Sequence, residues 1–253
     1  MSALVAVASD GSDLSHARGP LLPELRDLAA ALRSLADLDA VVVPVATHGE
    51  LQLGETLRRL PEEIGAIFLT HTDPVRACAA QRAPDGAGGR LVVTDQDMTA
   101  VVLTAAVLTV ARRAGTSPGE CRVTIIGADL LPGLRRLLAT AGFTDVALWS
   151  PADHRHDPGR ATAVIDLLGS VRLLGRGALI RRGGVSALLA LPGLLSAALD
   201  ADARVIPAEV HLACARGVAS VTPSNRLLPC RTDARLVRAV AEAAREALVT
   251  SSG

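Results

Sequence analysis

Two rhythms of apolar and polar positions alternate through residue 93. Runs of β-type apolar residues at 4–8, 40–45, 66–69 and 91–93 are interleaved with helical patterning at 22–35, 51–60 and 74–81. Strands separated by helices predict β-α-β units and therefore an α/β fold with a parallel sheet. The stretch R-A-P-D-G-A-G-G-R at 82–90 reads as a glycine-rich loop between elements. A long apolar helix follows over 98–113, and T-S-P-G-E then breaks the pattern and marks a domain boundary.

Residues 122–149, R-V-T-I-I-G-A-D-L-L-P-G-L-R-R-L-L-A-T-A-G-F-T-D-V-A-L-W, read as strand, turn, helix and strand, the opening of a Rossmann-like unit. A phosphate-holding G-x-G-x-x-G turn needs glycine where this chain has Asp129 and Pro132. Asp129 would set a negative charge where a pyrophosphate should sit, against the anion preference of a helix N-terminus. Gly127 still permits the strand-to-helix turn, and Pro132 is expected to start the helix. Beyond an irregular loop from residue 150, the pattern predicts a helix near 161–168 and a short strand near 178–181. Only about thirty-five residues separate Trp149 from the C-terminal helices, and one β-α-β unit takes roughly thirty, so the second dinucleotide-binding half is expected to be largely missing. Helices are predicted at 185–199, at 207–219 with Pro207 at the first helical position, and at 233–249. The expected organisation is a parallel-sheet N-terminal domain over 1–115, a shortened Rossmann-like domain over 116–185, and C-terminal helices over 186–253 packing back on the core.

Composition removes several functions. Twenty-six basic residues balance twenty-six acidic ones, so the electrostatic footprint for nucleic acid or an anionic membrane is missing. No apolar run is long enough to span a bilayer, and the start lacks the basic region of a signal peptide, which predicts a cytoplasmic protein. Every basic residue other than histidine is arginine, and tyrosine is absent as well. Schiff-base chemistry, a lysine base and a tyrosine acid are therefore impossible within this chain. Cys78, Cys121, Cys214 and Cys230 are far apart and form no C-x-x-C pair, which predicts buried, unreactive thiols rather than a zinc site or disulfide framework.

Four ordered blocks, I-F-L-T-H-T-D-P-V-R-A, V-V-T-D-Q-D-M-T-A with its long apolar helix, C-R-V-T-I-I-G-A and L-L-A-L-P-G-L-L-S-A-A-L-D-A-D-A-R, resemble the malic enzyme family of the bacterial type. The second is similar to that family's F-H-D-D-Q-H-G-T-A and the last to its V-L-A-F-P-G-I-F-R-G-A-L-D-V-R-A-R. The resemblance covers most of the chain outside 150–184. It implies a malic enzyme-like α/β fold, a homo-oligomer or dimer, NAD(P), and a Mg or Mn ion held by a Glu-Asp pair and a further Asp for oxidative decarboxylation of malate.

The same resemblance predicts extensive loss. The Glu-Asp pair falls on Thr70 and His71, and only the further carboxylate, Asp95, survives. The base lysine falls near Leu28 in P-E-L-R-D-L, the substrate asparagines on Ser186 and Ala187, and the N-terminal segment with the catalytic tyrosine finds no counterpart. Vestigial cofactor contacts would fall on Gly127, Ala128 and Asp129 in the turn, on Thr99 beside the nicotinamide cofactor, and on Ser150 at the ribose. Two readings of the remaining polar residues stand. His71 and Asp95 could be metal ligands, or His71 a catalytic base, on a malate-like or other small carboxylic acid. Alternatively, Asp73 and Asp97 cap helices and their neighbours are ordinary polar groups. His154 and His156 form a tract too closely spaced for a helix-face metal site, and Ser12 and Ser186 have no evident triad partners. The resulting expectation is a catalytically inactive malic enzyme homologue serving as a binding, regulatory or assembly partner, with a divergent NAD(P)- and metal-dependent oxidoreductase or lyase as the alternative.

Overall fold

The computed structural model describes residues 4–13, 21–45, 50–82, 86–149, 160–170 and 177–251. The N-terminal pattern folds as expected into strands β1 (Leu4–Ser9), β2 (Ala40–Pro44), β3 (Ile64–Leu69) and β4 (Leu91–Thr94), alternating with helices α1 (Leu21–Ala36), α2 (Glu50–Arg58) and α3 (Pro74–Arg82). All strands pair in parallel in the order β2-β1-β3-β4. Both faces are covered, as a parallel sheet requires. Val5 and Val7 of β1 enter the main core, whereas Ala6 and Ala8 pack with Leu53, Leu57 and Ala77 on the other face.

Helix α4 (Asp95–Ala114) follows β4 directly and buries twelve of its twenty residues. Its N-cap is Thr94, whose hydroxyl accepts the Asp97 N–H while the Asp97 carboxylate accepts the Thr94 N–H. Asp97 is thus the third helical residue of a capping box, not the cap itself. Gly115 closes the other end at φ 64°. Since α4 belongs to the same buried cluster as β1, β5 and β7, one continuous core links the two halves of the chain.

A second parallel sheet is built from β5 (Arg122–Ile126), β6 (Asp145–Trp149), β7 (Ala163–Asp166) and β8 (Ala178–Arg181), in the order β6-β5-β7-β8. The segment predicted as a helix near 161–168 is strand β7, an A-V-I-D run buried at every position. A short apolar run buried on both faces looks the same in either conformation until its partners are known. Of the second dinucleotide-binding half, β7 and β8 are present on the far side of β5, in the places the fourth and fifth strands of a doubly wound sheet would take, and among the described residues no helix lies between them.

Helix α5 (Gly133–Thr140) has Pro132 as its N-cap residue. The apolar stretch 185–199 is not one helix: a 3₁₀ turn at Ala187–Leu189 leads into α6 (Leu191–Asp200), and another at Arg182–Gly184 precedes the stretch. Helix α7 (Ala208–Ser220) takes Pro207 as its cap rather than its first residue, and α8 (Leu236–Ser251) ends the fold. Glycines set the spacing of these three helices. A Cβ at Gly193 would lie 2.7 Å from the Val237 carbonyl oxygen, and one at Gly217 would lie 2.9 Å from that of Ala239. Among the described residues no helix is long and apolar enough to cross a membrane. Cys121 and Cys214 are buried as expected, Cys78 is half-buried, and Cys230 is exposed, contrary to expectation.

Candidate functional site

Parallel pairing of β3 with β4 creates the site. The last registered pair is Leu69 with Thr94, so the next residues along, Thr70 and Asp95, emerge side by side at the C-terminal edge of the sheet, where open α/β sheets place ligands. Their contact is direct. The Thr70 hydroxyl donates to Asp95 Oδ2 at 3.1 Å, and the His71 backbone N–H donates to the same oxygen at 3.2 Å. His71 holds φ 50°, a left-handed conformation unusual for a residue with a side chain and of the kind that concentrates at ligand-binding and catalytic sites.

The His71 side chain is only 8% exposed, with Nδ1 3.1 Å from the Thr70 hydroxyl and Nε2 3.5 Å from Glu24 Oε1. Glu24, Thr70, His71 and Asp95 therefore form one contact chain. A threonine hydroxyl has a single proton. If it goes to Asp95, His71 must donate from Nδ1, and its Nε2 meets the Glu24 carboxylate favourably only when it too is protonated. If Asp95 carries the proton and donates to Thr70, the threonine donates to Nδ1 and a neutral His71 donates from Nε2 to Glu24. Burial pushes the Asp95 carboxyl up from its ordinary value, opposed by the His71 N–H, the Thr70 hydroxyl and the charges of His71 and Arg182.

These groups face a cavity of about 650 Å³, a size suited to a small organic ligand. Helix α1 contributes Glu24, Asp27 and Leu28, so the P-E-L-R-D-L segment does reach the site; Arg182, Ser186 and Ala187 come from the segment after β8. Thr99 lines the cavity as well, but its hydroxyl donates back to the Asp95 carbonyl at 2.7 Å. Asp73 caps α3 by accepting the N–H groups of Val75 and Arg76. Ser12 serves the same corner, accepting the Asp73 N–H and donating to Asp10. Sequence reading missed Glu24, Asp27, Arg182 and Arg231. They come from distant segments with no shared spacing, and only the soft alignment of the α1 segment pointed toward the first two.

A divalent metal does not fit these residues. Among those described, no three His, Cys, Asp or Glu side chains converge as a metal-binding set, and Asp95 Oδ2 already accepts two hydrogen bonds.

A pyrophosphate fits the β5 turn no better. Gly127 adopts φ 76° and permits the turn, yet the chain then runs through a 3₁₀ turn at Ala128–Leu130 that includes Asp129. The N–H groups of Leu130, Leu131 and Leu134 bond to the Gly127, Ala128 and Leu131 carbonyls, and Pro132 has no N–H to offer. Leu168 lies over Gly127, its Cγ 2.8 Å from where a Cβ would be. Ser150, His154 and His156 lie outside the described residues.

No protein-family model matches the chain, and no curated relative does either. Solved structures do match. A malic enzyme from Pyrococcus horikoshii Ot3 is 19% identical over 98% of this chain and 77% of its own, with a TM-score of 0.80. A malic enzyme from Entamoeba histolytica is 17% identical over 98% of this chain and 70% of its own, with a TM-score of 0.84. An NAD-dependent malic enzyme from Thermotoga maritima is 18% identical over 96% and 84%, with a TM-score of 0.80. The chain thus has a malic enzyme-like fold of the α/β class.

Proposed function

We propose that the protein is a ligand-binding protein on a malic enzyme-like scaffold that does not carry out oxidative decarboxylation of malate, and that it acts as a regulatory or assembly partner. The observation that carries this reading is the state of Asp95: its carboxylate is bonded by the Thr70 hydroxyl and the His71 N–H, the two positions where the resemblance expects metal-binding carboxylates. The self-bonded turn after β5 supports weak or lost NAD(P) binding through Gly127, Ala128 and Asp129. On this reading the chain is cytoplasmic and divides into the units 1–115, 116–185 and 186–253, of which the last mediates self-association or pairing with another malic enzyme-like chain. Purified protein given malate, manganese and either NAD or NADP should show no turnover. Malate oxidation that follows the purified chain and disappears with Asp95→Asn would overturn the reading, and mass measurement of the protein alone and with a malic enzyme tests the assembly role.

The Glu24–His71–Thr70–Asp95 contacts favour a second reading, a metal-free enzyme in which His71 or Asp95 moves a proton on a small carbonyl compound or acid. It predicts turnover that survives chelation and is lost in His71→Gln. An active His71→Gln variant excludes it.

A further inference from the structure

Three charged side chains on the cavity wall have no ion pair or side-chain hydrogen bond among the described residues: Asp27 of α1, Arg182 after β8, and Arg231 before α8. Arg182 acts on Asp95 through its field alone. Three carboxylates, from Glu24, Asp27 and Asp95, face two guanidiniums and the His71 imidazole. Among the described residues the wall thus carries both signs of charge, set apart from one another. A dicarboxylate would find the two guanidiniums but would also bring a second negative charge beside Glu24 and Asp27. A molecule that is neutral overall but carries separated charges would find a free partner at each end. Guanidinium groups grip a carboxylate through paired N–H donors, and Asp27 can accept from an ammonium. Leu28, Phe68, Val185 and Leu188 supply apolar surface between these groups.

We propose that the cavity binds a free α-amino acid with an apolar side chain, its carboxylate held by Arg182 and Arg231 and its ammonium by Asp27. The inference rests on the ligand-binding reading above and departs from the small carboxylic acid that the malic enzyme resemblance implies.

Calorimetric titration of the whole chain at neutral pH tests it, with L-leucine as the probe. Two fragments of that probe serve as controls: 4-methylpentanoate, which lacks the ammonium, and 3-methylbutylamine, which lacks the carboxylate. Leucine should bind, and each fragment should bind about tenfold more weakly or worse, the scale of one lost charge-assisted hydrogen bond. Asp27→Asn, a change at an exposed side chain, should weaken leucine by a similar factor and leave 4-methylpentanoate unaffected. Arg182→Gln should weaken both and spare the amine. Succinate or malate binding more tightly than leucine would overturn the proposal, as would the absence of leucine binding or an Asp27→Asn variant with unchanged leucine affinity. The broader reading fails by a different signal, malate turnover in the enzyme assay.

Discussion

Two buried threonines make opposite predictions for the same substitution. Thr70 is 3% exposed, and its hydroxyl joins His71 Nδ1 to Asp95 Oδ2. Thr104, within α4, is fully buried, and its hydroxyl has no partner among the described residues. Replacing Thr70 with valine keeps the shape but strands a ring nitrogen and weakens the bonding of a carboxyl. Since a buried group left unpaired costs about 1–3 kcal/mol and bonds to charged groups sit at the upper end, Thr70→Val should destabilise by about 2–3 kcal/mol. Thr104→Val removes a hydroxyl that already bears the desolvation penalty without a bond, so it should be neutral or stabilising by up to about 1 kcal/mol. At roughly 2–4 °C per kcal/mol for a chain of this size, thermal melts should place the two variants several degrees apart on either side of the parent. Equal destabilisation in both would refute the donor–acceptor assignment at Thr70, because volume and polarity change identically in the two.

Asp95 has a raised pKa in the folded protein through burial. A carboxyl with a raised folded pKa contributes stability that is fully present below its unfolded pKa and lost as pH rises through the folded value. Asp95→Asn should therefore melt higher than the parent at pH 7, with the gap closing toward pH 4; a gap that widens on acidification would contradict this. Asp10 has no side-chain exposure and pairs with Arg76 at 2.8 Å, so Arg76→Ala should lower stability by about 3–5 kcal/mol in urea denaturation. A loss below 1 kcal/mol would mean that Asp10 finds another partner. Burial pushes the Cys214 thiol up to about 12, whereas the exposed Cys230 thiol is drawn down by the Thr232 hydroxyl. A thiol reagent should label Cys230 first and reach Cys214 only on unfolding, which peptide mapping can check.

The N-terminal sheet was legible because its strands and helices alternate with distinct periods and each carries its own boundary signals, such as Pro74 and Gly115. Strand β7 was not, since four buried apolar-rich residues carry no period and only pairing with β5 and β8 decides their conformation. The floor of the site followed from sequence for a related reason. Thr70, His71 and Asp95 sit just past two strands that pair in simple register, so locating the strands locates the residues. The walls did not follow. Glu24 and Asp27 share a helix with buried Leu25 and look like ordinary solvated acids, and Arg182 and Arg231 lie on irregular segments whose approach to the cavity depends on how α6 and α8 pack.

On the proposed reading, Thr70 and His71 stand where the malic enzyme resemblance expects a carboxylate pair, and their chemistry suits that exchange. Three acids around one pocket are tolerable when a dication neutralises them, and costly without it. In place of two such acids, Thr70 and His71 present donors aimed at Asp95. Restoring the pair tests this argument. The double variant Thr70→Glu, His71→Asp should be less stable than the parent in chelator, because Asp95 then faces two new carboxylates and loses the Thr70 donor. Aspartate tolerates the left-handed backbone at position 71, so the loss would be electrostatic rather than conformational. Manganese should recover it by mass action, about 2.7 kcal/mol at a hundredfold excess over the dissociation constant, while leaving the parent's melting temperature unchanged. A double variant that is as stable in chelator as in manganese would show that the geometry around Asp95 does not suit a cation even when the charges are supplied, and Thr70 and His71 would not then account for the absence of metal binding on the proposed reading.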